Sequence, residues 1–375
     1  MDAPSSAFGR HLALTSPSPL AIEVVHASGA VLTDRQGREY LDLIAGLAVN
    51  NVGHRHPDVV AAIRQQTDAF LHVIPYGEFV QAPQIAFAER LCGLLPEPLD
   101  QVYFVNSGTE AIEAAMKLAK RVTGRTRIMA CHKSYHGSTH GALSITGNEH
   151  KKYRNRPLLP DVHFITFNDP SDLDRITPEV AAVFVETVQG DAGVRIPDAE
   201  WMRLLRQRCT ATGALLVLDE VQTGFGRTGR LFAFEHFGIV PDILVLGKAL
   251  GGGLPMGAFV SARHHMELLM HDPVLGHITT FGGHPLPCVA GLAALNALIA
   301  EDMPGNAVRL GALFKELLVH PAIQEVRGMG AMLAVELGHA ERVRDVVLGC
   351  LEQGVLGFWF LSCPTAFRIA PPLCM

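Results

Sequence analysis

The sequence predicts an α/β fold in which a mainly parallel sheet lies between layers of helices. Through the middle of the chain, short apolar runs alternate with segments that have the apolar spacing of helices. This order is typical of βαβ units, which form parallel sheets. The length of 375 residues exceeds the size at which one hydrophobic core keeps growing, so a large domain and a smaller one are expected.

Composition indicates a packed enzyme rather than a binding module. Hydrophobic residues make up 48% of the chain, charged residues make up 18%, and the net charge is −6. These values give no electrostatic attraction to nucleic acid or to an anionic membrane, and no signal peptide or membrane-spanning run is recognisable. Seven cysteines without a C-x-x-C pair indicate reduced thiols in a cytoplasmic protein that has no disulfide framework and no metal site.

The first elements of the chain are predicted as a hairpin and a helix. Residues Val31 to Leu43 contain a turn at Asp34-Arg35-Gln36-Gly37 between two extended runs, which is typical of a hairpin. Residues Asp58 to Phe70 have the apolar spacing of a helix, and we expect the large domain to begin near there.

The next predicted strand, Val102 to Val105, runs into a helix whose first residues are small. Ser107, Gly108 and Thr109 stand before apolar residues that keep helical spacing through Ala119. Free backbone N–H groups at a helix start suit a phosphate. An ordinary helix cap is the alternative interpretation.

Two further apolar strands deliver polar residues to the same sheet edge. The run Ala181 to Val185 ends at Glu186, and the run Arg127 to Ala130 leads to a loop that contains Tyr135 and His136. Ligands of open α/β sheets bind at the carboxyl ends of the strands. An aromatic residue of this loop could cover a flat ring, although Tyr135 and His136 could equally be a packed loop pair.

A lysine and an aspartate also stand at strand ends. Asp219 closes the apolar run from Leu215, and Lys248 follows the apolar run from Ile243. Pyridoxal phosphate (PLP) needs an amine for its Schiff base and a carboxylate that keeps its ring nitrogen protonated. A surface lysine at a strand end is the commoner situation, but it leaves the coincidence with Asp219 unexplained. The two residues together therefore indicate PLP chemistry.

The segment around these two residues resembles one enzyme family. It reads Leu-Asp-Glu-Val-Gln-Thr-Gly-Phe-Gly-Arg-Thr-Gly from Leu218 to Gly229, and Gly-Lys-Ala-Leu-Gly-Gly-Gly from Gly247 to Gly253. It is similar to the class III, ornithine-type PLP-dependent aminotransferases of fold type I. The resemblance implies a large domain with a mainly parallel seven-stranded sheet at residues 53–284. A smaller α/β domain would come from both chain ends, residues 1–52 and 285–375, and it is expected to lack the terminal helix that relatives usually have.

The resemblance also implies how PLP is held. Lys248 would form the Schiff base and act as the catalytic base, and Asp219 would pair with the ring nitrogen. Thr280 would reach the phosphate of the neighbouring subunit, which implies a homodimer with shared active sites. The implied cofactor-binding residues are Ser107, Gly108, Thr109, Tyr135, His136, Asp219, Val221, Gln222, Lys248 and Thr280.

Four residues are implied to bind substrate. Arg368 matches the arginine that holds the carboxylate of a keto acid, most often 2-oxoglutarate, and Asp191 stands where relatives have a glutamate that parks this arginine. We expect the shorter Asp191 to hold Arg368 more loosely, unless it is only a turn residue. Tyr76 and Glu186 complete the set. Ser138 stands where the ornithine and acetylornithine branches usually have an arginine, which weakens those assignments.

The predicted function is PLP-dependent transfer of an amino group from an amine, ω-amino acid or diamine donor to a keto acid in two half-reactions. Four alternatives remain open at this stage: acetylornithine or ornithine aminotransferase, an aminomutase or racemase on the same scaffold, a nicotinamide dehydrogenase, and a non-catalytic relative. An isomerase has no need of Arg368. A dehydrogenase lacks support because no G-x-G-x-x-G follows an early strand.

Overall fold

The strands that the structure describes form three sheets. The computed structural model describes residues 8–75 and 77–375, and within them fifteen strands are present. In chain order, β1 to β15 are Val24–Ser28, Val31–Asp34, Glu39–Asp42, Gln101–Val105, Arg127–Cys131, Val162–Ile165, Val180–Glu186, Leu215–Asp219, Ile243–Gly247, Gly257–Ser261, Glu325–Met329, Met332–Glu336, Val355–Leu356, Phe358–Trp359 and Ala366–Ile369.

Seven of these strands form the central sheet, in the order β4-β10-β9-β8-β7-β5-β6. Strands β9, β8, β7, β5 and β6 pair in parallel, whereas β10 is antiparallel to both of its neighbours. The predicted α/β class and mainly parallel seven-stranded sheet are confirmed. The sequence predictions do not include β6 and β10, which carry no polar residue at a functional edge.

Helices cover both faces of this sheet. In chain order, α1 to α11 are Phe8–His11, Ala45–Ala48, Pro57–Ala69, Ala82–Cys92, Gly108–Thr123, His140–Ile145, Ala199–Thr212, Arg263–Met266, Pro285–Ala300, Met303–Leu317 and Ala340–Glu352. Along β7, Val183 and Val185 join the core on the α7 side, while Ala182 and Phe184 join the core on the α5 side. Because side chains alternate along a strand, a strand buried on both faces must be apolar throughout.

The two smaller sheets have four strands each. The order β1-β2-β3-β13 contains the predicted hairpin, with β2 and β3 antiparallel, and β13 lies parallel to β3. The order β11-β12-β15-β14 places β15 between β12 and β14. The first of these two sheets therefore contains strands from residues 24–42 and from residues 355–356. Helix α9 packs on α3 and α4. The predicted division into residues 1–52, 53–284 and 285–375 stays a prediction.

A buried arginine in the loop after β8 contacts three distant parts of the chain. Arg227 is fully buried and donates hydrogen bonds to Asn51, to the Ala331 carbonyl and to the Pro371 carbonyl. Burial lowers the pKa of Arg227 to about 9. Removing this side chain would leave several buried acceptors without a partner, which is costly.

Within the described residues, no individual helix has the length and apolar character needed to cross a membrane. Two consecutive helices, α9 and α10, meet that requirement only when taken together, and a bend of 66° separates them.

Candidate active site

Lys248 lies directly after β9, at the carboxyl edge of the central sheet. It begins a short 3-10 turn, Lys248–Gly251, and its φ of 48° lies in the left-handed region that non-glycine residues rarely adopt. Such backbone strain persists only where the surroundings impose it, and it often marks a functional site. Burial lowers the pKa of the Lys248 amine, and the charges of Asp219 and Glu186 oppose that shift. The lowered pKa favours the neutral amine, which is the nucleophilic form.

Asp219 ends the neighbouring strand β8 and is held by two donors. Its Oδ2 accepts a hydrogen bond from His136 Nδ1 at 2.8 Å, and its Oδ1 accepts one from the Val221 N–H at 3.0 Å. An ionised carboxylate can only accept, so this hydrogen bond pairs it with the His136 tautomer that carries its proton on Nδ1. The buried Nε2 of His136 has no hydrogen-bond partner among the described residues. The contacts from His136 and from the Val221 N–H therefore fix the orientation of the Asp219 carboxylate.

Glu186 lies beside Asp219, because the two residues are in register across the parallel pair β7 and β8. Its oxygens accept hydrogen bonds from the Tyr135 N–H at 2.8 Å and the Gly190 N–H at 2.9 Å. Burial raises the pKa of Glu186 to about 7, and the Asp219 charge adds to that shift. Both oxygens of Glu186 thus hold the backbone of the loops that carry Tyr135 and Asp191. A substrate contact for Glu186 stays a prediction.

Helix α5 begins at the same edge with the predicted small residues. Ser107 is its N-cap and accepts a hydrogen bond from the Glu110 N–H at 3.3 Å. The first N–H groups of a helix have no partner within the helix, so those of Gly108 and Thr109 are available to an anion. A Cβ on Gly108 would lie 2.9 Å from the Val221 side chain. Glycine at this position lets α5 approach Val221 closely.

Gly137, in the loop after β5, also allows a close approach to the start of α5. Its φ is 134°, and a Cβ there would collide with Thr109 Oγ1. The Thr109 hydroxyl bonds the Thr139 hydroxyl at 2.8 Å. The loop after β5 is therefore pinned against the start of α5.

A cavity of about 290 Å³ joins these groups. Most of the predicted cofactor residues line it, together with Asp191 and Glu186. The lining residues are Gly108, Thr109, Tyr135, His136, Gly137, Ser138, Glu186, Val188, Asp191, Asp219, Val221, Gln222, Thr223 and Lys248.

Three of the predicted site residues, Ser107, Thr280 and Arg368, do not themselves line the cavity. Thr280 is exposed, in the loop before α9, and it does not line the cavity. Tyr76 lies outside the described residues. The predicted role of Thr280 needs a second subunit, and its position on the surface is compatible with that role.

Arg368 contacts Asp191, which lines the cavity. Arg368 lies on β15, and its Nη2 is 3.4 Å from Asp191 Oδ1. Burial lowers the pKa of Arg368, and the Asp191 carboxylate opposes that shift. Asp191 reaches Arg368 through one long contact rather than a bidentate pair. Selectivity controlled by this contact stays a prediction.

Lys151, which was not predicted as a site residue, lies next to Asp191. The Nζ of Lys151 is 2.7 Å from Asp191 Oδ2 and 4.4 Å from the centre of the Tyr135 ring. Burial alone would raise the pKa of Asp191, but hydrogen bonds from Lys151 and Ser362 hold it below its ordinary value. Lys151 stands in a 3-10 turn, Glu149–Lys151, and no strand end points to it in the sequence.

Comparison with known proteins identifies the family. Residues 14–375 match the family described as Aminotransferase class-III. The chain is 42% identical to the acetylornithine aminotransferase of Methanopyrus kandleri over 332 residues, which cover 87% of this chain and 84% of that protein. It is 42% identical to the acetylornithine aminotransferase of Mycolicibacterium smegmatis over 356 residues, which cover 94% of this chain and 89% of that protein.

Solved structures show the same fold. The ornithine aminotransferase from Toxoplasma gondii, with PLP at partial occupancy in its active site, superposes with a TM-score of 0.90 at 32% identity and covers 98% of this chain and 88% of its own. An (S)-enantioselective ω-transaminase from Thermomicrobium roseum superposes with a TM-score of 0.91 at 29% identity, covering 99% of this chain and 94% of its own. The predicted resemblance is confirmed: the chain is a transaminase and belongs to the class III aminotransferase family.

Proposed function

We propose that this transaminase uses PLP to move an amino group from a terminal primary amine to a keto acid such as 2-oxoglutarate. The observation that carries the proposal is the convergence of Lys248, Asp219 and the start of α5 on one cavity. Bound PLP would supply a carbonyl that accepts an amine and a ring that takes up electrons. The remaining chemistry belongs to residues of this chain.

The cavity fits PLP in three respects. Free N–H groups at the start of α5 suit the phosphate, with the Thr109 hydroxyl beside them. The Asp219 carboxylate suits a protonated ring nitrogen, and its bond to His136 fixes its orientation. Lys248 provides an amine whose pKa is lowered by burial. Val221 and Tyr135 would pack against the ring, and Gln222 would approach its hydroxyl.

In each half-reaction, Lys248 would move a proton at its Nζ. A base works best when its pKa lies near the working pH, and burial shifts the Lys248 pKa in that direction. The same pocket would then accept the keto acid, with its carboxylate on Arg368. The planar guanidinium suits a carboxylate because two N–H groups can bind two oxygens at once.

A spectroscopic titration tests the whole proposal. The purified protein is scanned for a visible cofactor band and titrated with 1-phenylethylamine, putrescine, ornithine and N-acetylornithine in turn. We expect one donor to bleach the band and 2-oxoglutarate to restore it. A protein that carries no PLP after incubation with it, or a band that no keto acid restores, would contradict the proposal.

The same titration separates two donor classes. The relatives that are 42% identical act as acetylornithine aminotransferases, which favours N-acetylornithine as the donor. Ser138, without charge, lines the cavity and favours a donor that brings no carboxylate to this side. If N-acetylornithine bleaches the band at a much lower concentration than the simple amines do, the donor is of the acetylornithine class.

Replacement of Arg368 should affect one half-reaction far more than the other. For Arg368→Ala we expect the rate constant for 2-oxoglutarate, at limiting concentration, to fall about 10- to 100-fold, because hydrogen bonds to charged groups contribute about 1.5–3 kcal/mol. Single-turnover absorbance changes measure the two halves separately. Arg342→Ala is the matched control, since Arg342 donates to the Leu337 carbonyl away from the cavity. Equal losses in both halves would contradict an acceptor role.

We further infer that the chain forms a two-fold homodimer with Thr280 near the partner's active site. Apolar side chains are exposed on two segments that contact each other: Val80 is 90% exposed and Phe281 is 55% exposed. The His72 and Phe281 rings lie 5.0 Å apart, and Gln84 bonds the Gly283 carbonyl. Exposed apolar surface of this kind is typical of an interface.

A charge placed in this apolar surface should separate the subunits. Val80→Asp should lower the molar mass, measured by light scattering, from that of two chains to that of one, because burying an unpaired carboxylate is costly. Val319→Asp is the matched control, since Val319 is 82% exposed in the loop after α10. A wild-type protein with the mass of one chain would overturn the dimer.

A further inference from the structure

Asp191 divides its two oxygens between two cations. Its Oδ2 accepts from Lys151 Nζ at 2.7 Å and from the Ser362 hydroxyl at 2.6 Å. Its Oδ1 accepts from the Leu361 N–H at 3.2 Å and from Arg368 Nη2 at 3.4 Å. Three of the four contacts are shorter than the one to Arg368. The carboxylate is therefore held mainly on the Lys151 side.

Arg368 keeps most of its donors unused as a result. Its side chain is 9% exposed, and its Nε is buried without a hydrogen-bond partner among the described residues. The guanidinium lies over the Phe360 ring, 4.5 Å from the ring centre, which orients it without occupying its N–H groups. A buried guanidinium with free donors is suited to an incoming carboxylate, since buried donors are costly to leave unpaired.

Lys151 is well placed to prevent a tighter pair between Asp191 and Arg368. Its Nζ contacts both Asp191 and the face of the Tyr135 ring, so the amine is held at two points. The three charges of Lys151, Asp191 and Arg368 leave one positive charge in excess. One substrate carboxylate neutralises this excess without displacing Asp191.

We propose that Lys151 is a positioning residue that keeps Asp191 off Arg368, so that the guanidinium stays open to the carboxylate of the keto acid. The inference rests on the proposed acceptor role of Arg368. Without Lys151, the Asp191 carboxylate turns towards Arg368 and competes with the substrate for the same N–H groups. A bidentate arginine–carboxylate pair is the stronger arrangement, so the competition is effective.

Binding of glutarate, a dicarboxylate that cannot react, tests this role in the PLP-loaded protein by calorimetry. For Lys151→Met, which keeps the length of the side chain and removes its charge, we expect the Kd of glutarate to rise about tenfold. For Asp191→Asn we expect binding at least as tight as in the wild type. For the double variant Lys151→Met/Asp191→Asn we expect the wild-type Kd again, because the competing carboxylate is gone.

The double variant separates this role from direct binding of substrate by Lys151. Lys151 also lines a second cavity that shares Tyr135 and Ser138 with the first, so its amine could itself hold a substrate carboxylate. In that case the double variant stays as weak as Lys151→Met, and the positioning role is overturned. An unchanged Kd in Lys151→Met also overturns it. Lys151→Arg, which keeps the charge, should bind glutarate like the wild type.

Two further variants complete the experiment. Lys152→Met is the matched control: this neighbouring lysine points to the Ser144 carbonyl at 3.4 Å and lies over the Phe164 ring, so the Kd should not change. Arg368→Ala shows which proposal fails. If it binds glutarate as well as the wild type, the acceptor role of Arg368 is wrong and this inference falls with it. If Arg368→Ala is weak and Lys151→Met is unchanged, only the inference about Lys151 is wrong.

Discussion

Lys248→Ala should abolish transamination, with kcat lower by at least about 10⁴-fold. The substitution removes both the amine that binds the cofactor covalently and the base that moves the proton, and a positioned base alone contributes about 10²–10⁴-fold. Borohydride reduction followed by peptide mass analysis checks the same assignment without an activity assay. In the wild-type protein we expect the reduced cofactor on the peptide that contains Lys248, and in the variant on no peptide.

The matched control removes another lysine that is not in the cavity. Lys315 lies on α10 and donates to the Gly328 carbonyl at 2.8 Å. Lys315→Ala should leave the borohydride adduct on Lys248 and keep kcat close to the wild-type value. An adduct that persists at a second lysine in Lys248→Ala would show that the covalent site has been assigned wrongly.

Asp219→Asn should lower kcat by about 10²–10³-fold, which is typical for the loss of one electrostatic group that acts in the transition state. The amide has nearly the shape of the carboxylate but carries no charge, so it cannot favour a proton on the ring nitrogen. Its one carbonyl oxygen can still accept the hydrogen bond from His136, and its NH2 then faces the Val221 N–H, which the carboxylate accepted at 3.0 Å. Stopped-flow measurement of each half-reaction should show both halves slowed to a similar extent.

Glu220→Gln provides a control at the next residue of the chain. Glu220 is buried, and it accepts hydrogen bonds from the Thr187 hydroxyl and the Phe234 N–H at 3.0 and 2.7 Å. Burial raises the pKa of Glu220 to about 7, and this carboxyl does not line the cavity. We expect kcat within about threefold of the wild type, an effect of less than 1 kcal/mol. If Glu220→Gln slowed catalysis as much as Asp219→Asn, the special role of Asp219 would be lost.

The sequence predicts the sheet edge well because its signals are local. Asp219 and Lys248 follow unbroken apolar runs, and Ser107 precedes a helix with clear spacing. In the structure Asp219 and Lys248 line one cavity together with the first residues of the helix that Ser107 caps, as the rule for parallel strand ends requires. The hairpin turn at residues 34–37 and the helix near residue 58 are also predicted from the sequence, since turn chemistry and periodicity act over a few residues.

Contacts between residues that are far apart in the sequence could not be predicted from these local signals. Lys151 reaches Asp191 from a 3-10 turn, and a lysine there has no periodicity or strand end to mark it. The hydrogen bond between His136 and Asp219 joins residues that are 83 positions apart. Such pairs depend on how loops pack after the sheet has formed, and that information is spread over the whole chain rather than held in one segment.

The pairing of β3 with β13 also has a consequence for biosynthesis. Arg38 donates to the Leu351 carbonyl across a separation of 313 residues, so this contact must wait until Leu351 has left the ribosome. Until then one edge of β3 has no partner, and an unpaired strand edge can join another nascent chain. Closing so long a loop is slow because its entropy must be lost before the contact forms. We therefore expect the yield of folded protein to depend on chaperones and growth temperature more strongly than the stability of the finished enzyme does.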